Sequence, residues 1–160
     1  MKFSEMPYKR IDMEEVEKEY KSIIERTKNA KSGEEQFEIH REYYKFTADV
    51  QTSMELAMIR HDIDTTDEFY EKESDFYDEV GPIISQYENE YGKVLYDSPY
   101  RDYLESKIGK VTFKNIEIAN KAFDEKIIPL MQEENANHAV EKEIMNSVTK
   151  KEKEVTYEAK

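Results

Sequence analysis

The stretch MIRHDIDTTDEFYEKE, from Met58 to Glu73, joins two long segments in which apolar residues recur at helical spacing. Three consecutive residues near its middle are good helix N-caps, and a glutamate three positions after the second of them completes a capping box. We therefore interpret the stretch as a corner between two helices, whose acidic side chains favour the start of the second helix. The residues assigned to this corner are Arg60, His61, Asp64, Thr65, Thr66 and Glu68.

Helical patterns extend away from the corner in both directions. Ser32 and Glu35 form a capping box at the start of the helix that precedes it, and Asp12 is a good N-cap for the helix before that. After the corner, Pro82 falls inside the helical pattern, where a proline removes one backbone hydrogen bond. We expect a kink at that position rather than a break.

The rest of the chain contains one short helix and two further helical patterns. We expect Ser98 to be the N-cap of the short helix, Pro99 its first helical residue and Gly109 its stop. The last pattern contains Pro129, where a second kink is expected. Six helical segments without a strand pattern predict an all-α fold, a bundle of about six antiparallel helices built from long helical hairpins.

The composition narrows the classes of function. A net charge of -13 argues against binding nucleic acid or an anionic membrane surface, because such partners require clustered Lys and Arg. The chain has no apolar run of transmembrane length and no signal-peptide core at its start, so we expect a cytoplasmic protein. The absence of cysteine excludes disulfides and thiolate zinc ligands.

The chain has three histidines, and none of them lies in a zinc-peptidase motif. The residues after His40, His61 and His138 read REYY, DIDT and AVEK, so none of them begins the H-E-x-x-H motif of zinc peptidases. The 4 glycines are scattered, which argues against a phosphate-binding loop. We assign no catalytic residue and no zinc ligand.

A calcium loop of the EF-hand type is the sharper alternative for the corner. When positions are counted from Asp62, oxygen-bearing side chains occupy the first, third, fifth and twelfth positions of such a loop. Asp67 stands where the loop needs a glycine, and a helix start would consume half of the loop, so capping is the preferred interpretation. The calcium candidates are Asp62, Asp64, Thr66 and Glu73.

Aromatic residues recur on the predicted helix faces and allow two interpretations. They line a groove for a peptide, or they form the core, and we favour the core because a buried ring contributes about 1.5 to 3 kcal/mol. The residues concerned are Tyr43, Tyr44, Phe76, Tyr77, Tyr87 and Tyr91.

The string IRHDIDTTDEFYEKESDFYDEVGP, from Ile59 to Pro82, resembles the helix-turn-helix signature near the start of bacterial oligoendopeptidase F-like zinc metallopeptidases, of the thimet oligopeptidase clan. The segments MPYKRIDME, AKSGEEQ, DSPYRDYLESKIGK and LMQEEN follow the order and spacing typical of those enzymes. The resemblance covers about residues 1–135, and residues 136–160 diverge as a C-terminal helix and tail. It implies the amino-terminal helical region of a clam-shaped peptidase, within a single helical domain spanning residues 1–160.

The zinc motif of those enzymes lies far downstream of this region, and these 160 residues do not contain it. Our leading hypothesis is a noncatalytic stand-alone relative or truncated form of the peptidase N-terminal domain, acting as a peptide- or protein-binding module. The alternative is a fragment of an active zinc oligopeptidase that needs a second polypeptide carrying H-E-x-x-H. We expect no cofactor, since zinc belongs to the catalytic domain, and the expected partners are a second copy, a separate peptidase chain or a peptide.

Overall fold

A computed structural model describes residues 8–63 and 68–137, together with the single residues 140 and 144. Within these residues every regular element is helical and no strand occurs, which confirms the predicted all-α bundle. The helices are α1 (Met13–Asn29), α2 (Gly33–Ile63), α3 (Glu68–Tyr96), α4 (Arg101–Ile108) and α5 (Lys110–Ala122), followed by a helical segment over residues 127–137.

The first two helices begin where the sequence predicts. The Asp12 carboxylate accepts hydrogen bonds from the backbone N–H groups of Glu14 and Glu15, at 3.0 and 3.3 Å, which confirms it as the N-cap of α1. Ser32 Oγ accepts from the N–H of Glu35 at 3.1 Å. The reciprocal bond runs from the Lys31 N–H to the Glu35 carboxylate at 2.7 Å, one residue earlier than in a standard capping box.

The prolines and the short helix differ in detail from expectation. Helix α3 continues through Pro82 without a break. The prediction of a kink at Pro129 was wrong. The last helical segment begins at residue 127, so this proline lies in its first turn, where no N–H donor is needed. Helix α4 begins at Arg101 rather than Pro99, since a tight turn comes first, with the Arg101 N–H bonded to the Ser98 carbonyl at 3.2 Å.

Ser98 was wrongly predicted as the N-cap of α4, because Tyr100 occupies that position, whereas Gly109 ends the helix as predicted. Ser98 Oγ accepts from the N–H of Tyr100 at 3.0 Å and donates to the side-chain carbonyl of Gln36 at 2.5 Å, so it caps the turn and fixes it to α2. Gly109 ends α4 with a φ of 106°, a conformation that favours glycine. The chain then enters α5 directly.

Helices α1, α2 and α3 pack on one another, α5 lies against α3, and α4 contacts α2 and α5. The buried residues of α1 recur at helical spacing on one face, and Tyr20 and Ile23 are fully inaccessible. The core has two clusters, one around Tyr20 and Val80 and the other around Leu95 and Phe113. None of the described helices is both long enough and apolar enough to cross a membrane.

Candidate functional site

The predicted corner lies between the end of α2 at Ile63 and the start of α3 at Glu68. Its capping candidates Asp64, Thr65 and Thr66 fall outside the described residues, as do the side chains of His61 and Glu68. The side chain of Arg60 is described and is partly buried near the end of α2. One helix thus ends and the next begins on either side of the corner, while the capping hydrogen bonds remain a prediction.

Glu73, one of the calcium candidates, faces the segment that precedes α1. Its residue is 6% exposed, and its carboxylate accepts hydrogen bonds from Arg10 Nη2 at 2.6 Å and Arg10 Nε at 3.0 Å. The Tyr8 hydroxyl also donates to it. The bonds from Arg10 lower the pKa of Glu73, with smaller contributions from Tyr8 and from the charge of Arg60.

The other calcium candidates do not gather around Glu73 in the described residues. Asp62 is exposed in the last turn of α2, and Asp64 and Thr66 lie outside the described residues. Across the ranges 8–63 and 68–137, no group of three or more His, Asp or Glu side chains could hold a metal ion. The calcium loop therefore remains a prediction, and Glu73 would have to leave Arg10 to take part in it.

The aromatic residues divide between core and surface. Tyr91 and Tyr77 are buried, at 2% and 9% exposure, as the core interpretation predicts. The ring of Tyr43 stacks on that of Tyr91 with centroids 3.7 Å apart, and Tyr20 stacks on Tyr87 at 5.3 Å. Tyr44 is 71% exposed. The core interpretation is therefore wrong for Tyr44, which lies on the outward side of α2.

A groove opens where α2, α3 and α5 meet, with a volume of about 580 Å³. We call it the α2–α5 groove. Its lining is mainly apolar, and Gly92 contributes no side chain to the α3 wall. The other lining residues are His40, Arg41, Tyr43, Tyr44, Glu88, Tyr91, Leu95, Ile108, Thr112 and Ile116.

His40 is fixed in the α2 wall of the groove by Tyr91. Its Nδ1 atom shares a hydrogen bond of 3.0 Å with the Tyr91 hydroxyl, and the two rings stack with an interplanar angle of 7°. Burial lowers the pKa of His40, because a charged imidazolium loses hydration there. Its Nε2 atom forms no hydrogen bond with another described residue.

Glu88 supplies a carboxylate from the α3 wall. It accepts a hydrogen bond from the Tyr20 hydroxyl at 3.4 Å. Partial burial of the carboxyl group removes hydration and raises the pKa of Glu88, although the residue as a whole is exposed. It forms no ion pair with any described residue. Arg41, the arginine in the lining, is bonded to Glu38 at 3.0 Å. The groove therefore contains an acidic group without a basic partner.

A second cavity of about 660 Å³ lies between α3 and the segment 127–137. There the side-chain amide of Asn135 donates to the Asp78 carbonyl at 2.6 Å, which ties that segment to α3. Two basic residues, Arg10 and Lys72, line this cavity, and Arg10 is already bonded to Glu73.

The sequence did not indicate that His40 and Glu88 would line the same groove. His40 was tested only as a zinc ligand, and Glu88 is one of 37 acidic residues with no distinguishing spacing. The two residues share one groove only because α2 and α3 pack side by side. The exposed Tyr44 was among the residues proposed for a groove and does line it.

Comparison with known proteins connects this fold to one family. The family model described as the peptidase M3 N-terminal domain matches residues 3–123. No curated protein sequence gives a significant match.

Three solved structures match with TM-scores of 0.78 to 0.79. PZ peptidase A with inhibitor 2 is 38% identical, and the match covers 84% of this chain and 24% of that one, with a TM-score of 0.79. A putative oligoendopeptidase F is 35% identical over 85% of this chain and 24% of that one, with a TM-score of 0.78.

A putative oligoendopeptidase F from Bacillus anthracis is 34% identical over 87% of this chain and 26% of that one, again with a TM-score of 0.78. The chain thus spans about a quarter of the length of these structures. The resemblance to oligoendopeptidase F-like enzymes is confirmed.

Proposed function

The chain belongs to the peptidase M3 N-terminal domain family, and from this premise we propose that it is a noncatalytic module that binds peptides or protein segments. The observation that carries the proposal is the α2–α5 groove, a preformed concave surface with an apolar lining and a few polar groups. Hydrolysis is excluded from the proposal because the 160 residues contain no H-E-x-x-H motif to hold a catalytic zinc.

The test combines binding and turnover in one sample. The purified chain, supplied with zinc, is mixed with a pool of short unstructured peptides, and binding is followed by amide chemical shifts in NMR spectra. We expect shifts for residues of the groove, no cleavage of fluorogenic versions of the same peptides, and no stoichiometric zinc by elemental analysis. Cleavage that survives further purification, or a spectrum unchanged by every peptide, would overturn the proposal.

A second candidate is a fragment of a zinc oligopeptidase that becomes active with a second polypeptide carrying H-E-x-x-H. It is supported by the match to only a quarter of the solved chains and by an apolar face on α5. Val111 and Ile118 are 75% and 55% exposed there, two helical turns apart, while Phe113 on the other side of the helix is buried. Such a face fits a partner that covers it.

Complementation separates the two candidates. The chain is mixed with an oligoendopeptidase F lacking its matched N-terminal quarter, and cleavage of a fluorogenic peptide is measured. The fragment hypothesis predicts activity in the mixture only, and loss of that activity with Val111→Glu or Ile118→Glu. We also propose that two copies associate through this face when no partner is present, so a strict monomer in sedimentation at high concentration would count against the association.

A further inference from the structure

We propose that the α2–α5 groove binds the basic side chain of a peptide, with the aliphatic stem on its floor and the cationic group at Glu88. The proposal rests on the peptide-binding function proposed above and adds the chemical class of the ligand. It is carried by three features of the groove: the apolar floor, the Glu88 carboxylate without an ion-pair partner among the described residues, and the aromatic wall.

The floor suits an aliphatic stem. Leu95 is fully buried beneath the groove, and Ile108 and Ile116 are partly buried along its α4 and α5 sides. Lysine and arginine stems lie along apolar surfaces of this kind while their charged ends reach a polar group. An acidic side chain has no comparable stem, and its charge would meet Glu88.

The charge of the groove selects a cation. Glu88 forms no ion pair within the described part of the chain, and Arg41, the basic residue in the lining, is held by Glu38 on the same exposed helix face. A bound cation would compensate the carboxylate with a charge-assisted hydrogen bond. The net charge of -13 on the whole chain would also increase the rate at which basic peptides arrive.

The wall offers aromatic rings beside the carboxylate. Tyr43, Tyr44 and Tyr91 line the groove, and a cation near a tyrosine face is attracted by the ring. The hydrogen bond between His40 and Tyr91 fixes the orientation of the buried ring, so this wall is formed before a ligand arrives. A preformed wall reduces the entropy lost on binding.

The experiment compares matched peptides on the full chain. The probes are short blocked peptides that carry lysine, norleucine or glutamate at one central position and are otherwise identical. Norleucine keeps the aliphatic stem and lacks the charge, so we expect it to bind about tenfold more weakly than lysine, as for the loss of one charge-assisted contact. The glutamate peptide is expected to bind more weakly still.

Two variants assign the effect to the groove. Glu88→Gln keeps an acceptor for the Tyr20 hydroxyl while removing the charge, and it should abolish the preference for lysine over norleucine. Glu90→Gln is the matched control, because Glu90 lies on the same helix and pairs with Lys28 outside the groove. Thr112→Phe should fill the groove and weaken all three peptides, with helical content checked by circular dichroism.

The outcomes distinguish this inference from the function on which it rests. A lysine preference that disappears in Glu88→Gln and persists in Glu90→Gln supports both. Peptides that bind with equal affinity, or whose shifts map away from His40 and Tyr44, overturn the basic-side-chain site and leave peptide binding standing. Absence of binding by every peptide overturns both.

Discussion

Arg10 and Glu73, 63 positions apart in the sequence, form a two-point ion pair that fastens the segment before α1 to the second turn of α3. The Arg10 Nη2 and Glu73 Oε1 atoms are 2.6 Å apart, and the guanidinium also lies 4.5 Å from the centroid of the Phe76 ring. Because the carboxylate side chain is only 8% exposed, its charge depends on this partner. The pair therefore holds the segment before α1 against α3.

Replacing Arg10 with methionine should destabilise the protein by about 1 to 3 kcal/mol, because it leaves a buried carboxylate without its cationic partner and with the Tyr8 hydroxyl as its remaining side-chain donor. The free energy of unfolding is measured by urea titration followed by circular dichroism. The matched control is Arg26→Met, which removes an ion pair with Glu42 that is exposed on both sides. That control should change stability by less than about 1 kcal/mol, and equal losses in the two variants would refute the special role of Arg10.

The same pair predicts a dependence of stability on pH. The bonds from Arg10 lower the pKa of Glu73 in the folded state below its ordinary value of 4.5, so the folded state binds that proton less tightly than the unfolded chain. The stabilisation by this ion pair is complete above pH 4.5, and it is lost as the pH falls from 4.5 through the lowered pKa of Glu73 in the folded state. Unfolding of Glu73→Gln should show a shallower loss of stability in this acid range, whereas a slope identical to the wild type would disprove the assignment.

Local signals in the sequence predicted the helices and several of their ends. Asp12 and Ser32 cap helices because a short side-chain acceptor reaches the first N–H groups whatever the rest of the protein does. Pro129 was misread because a proline in a helical pattern is compatible with a kink or with a helix start, and the choice depends on where the preceding turn ends. The start of α4 depends on the contact of Ser98 with Gln36, which is 62 positions away.

The groove could not be predicted in the same way. Its polar residues His40 and Glu88 come from different helices, and nothing in the local spacing of either indicates that α2 and α3 will bring them together. Helical spacing also failed for Tyr44, since a wide apolar stripe on α2 does not show which edge the neighbouring helices cover. The fold could be predicted from the family resemblance, whereas the candidate site became visible only from the packing of side chains between helices.

His40 should titrate at a pKa below its ordinary value of 6.5, because burial against Tyr91 penalises the imidazolium. The contribution of neutral His40 to the stability of the fold is then complete above pH 6.5. It is lost as the pH falls from 6.5 through the lowered pKa of His40 in the folded state. Imidazole nitrogen shifts measured by NMR report the pKa, and a His40→Gln variant identifies the signal. A folded-state pKa at or above 6.5 would show that the ring is not shielded as described.

Replacing Gly109 with alanine should destabilise the protein by about 1 to 3 kcal/mol. Its φ of 106° and ψ of 145° join α4 to α5 in a conformation that a side chain strongly disfavours, while its N–H donates to the Glu105 carbonyl at 3.0 Å. An added Cβ would meet no atom within 4 Å, so the whole cost comes from the backbone and cannot be relieved by repacking neighbours. The control is Lys110→Ala at the exposed next position, which should change the free energy of unfolding by less than about 0.5 kcal/mol. If the two variants unfold at the same urea concentration, the junction does not require this backbone conformation.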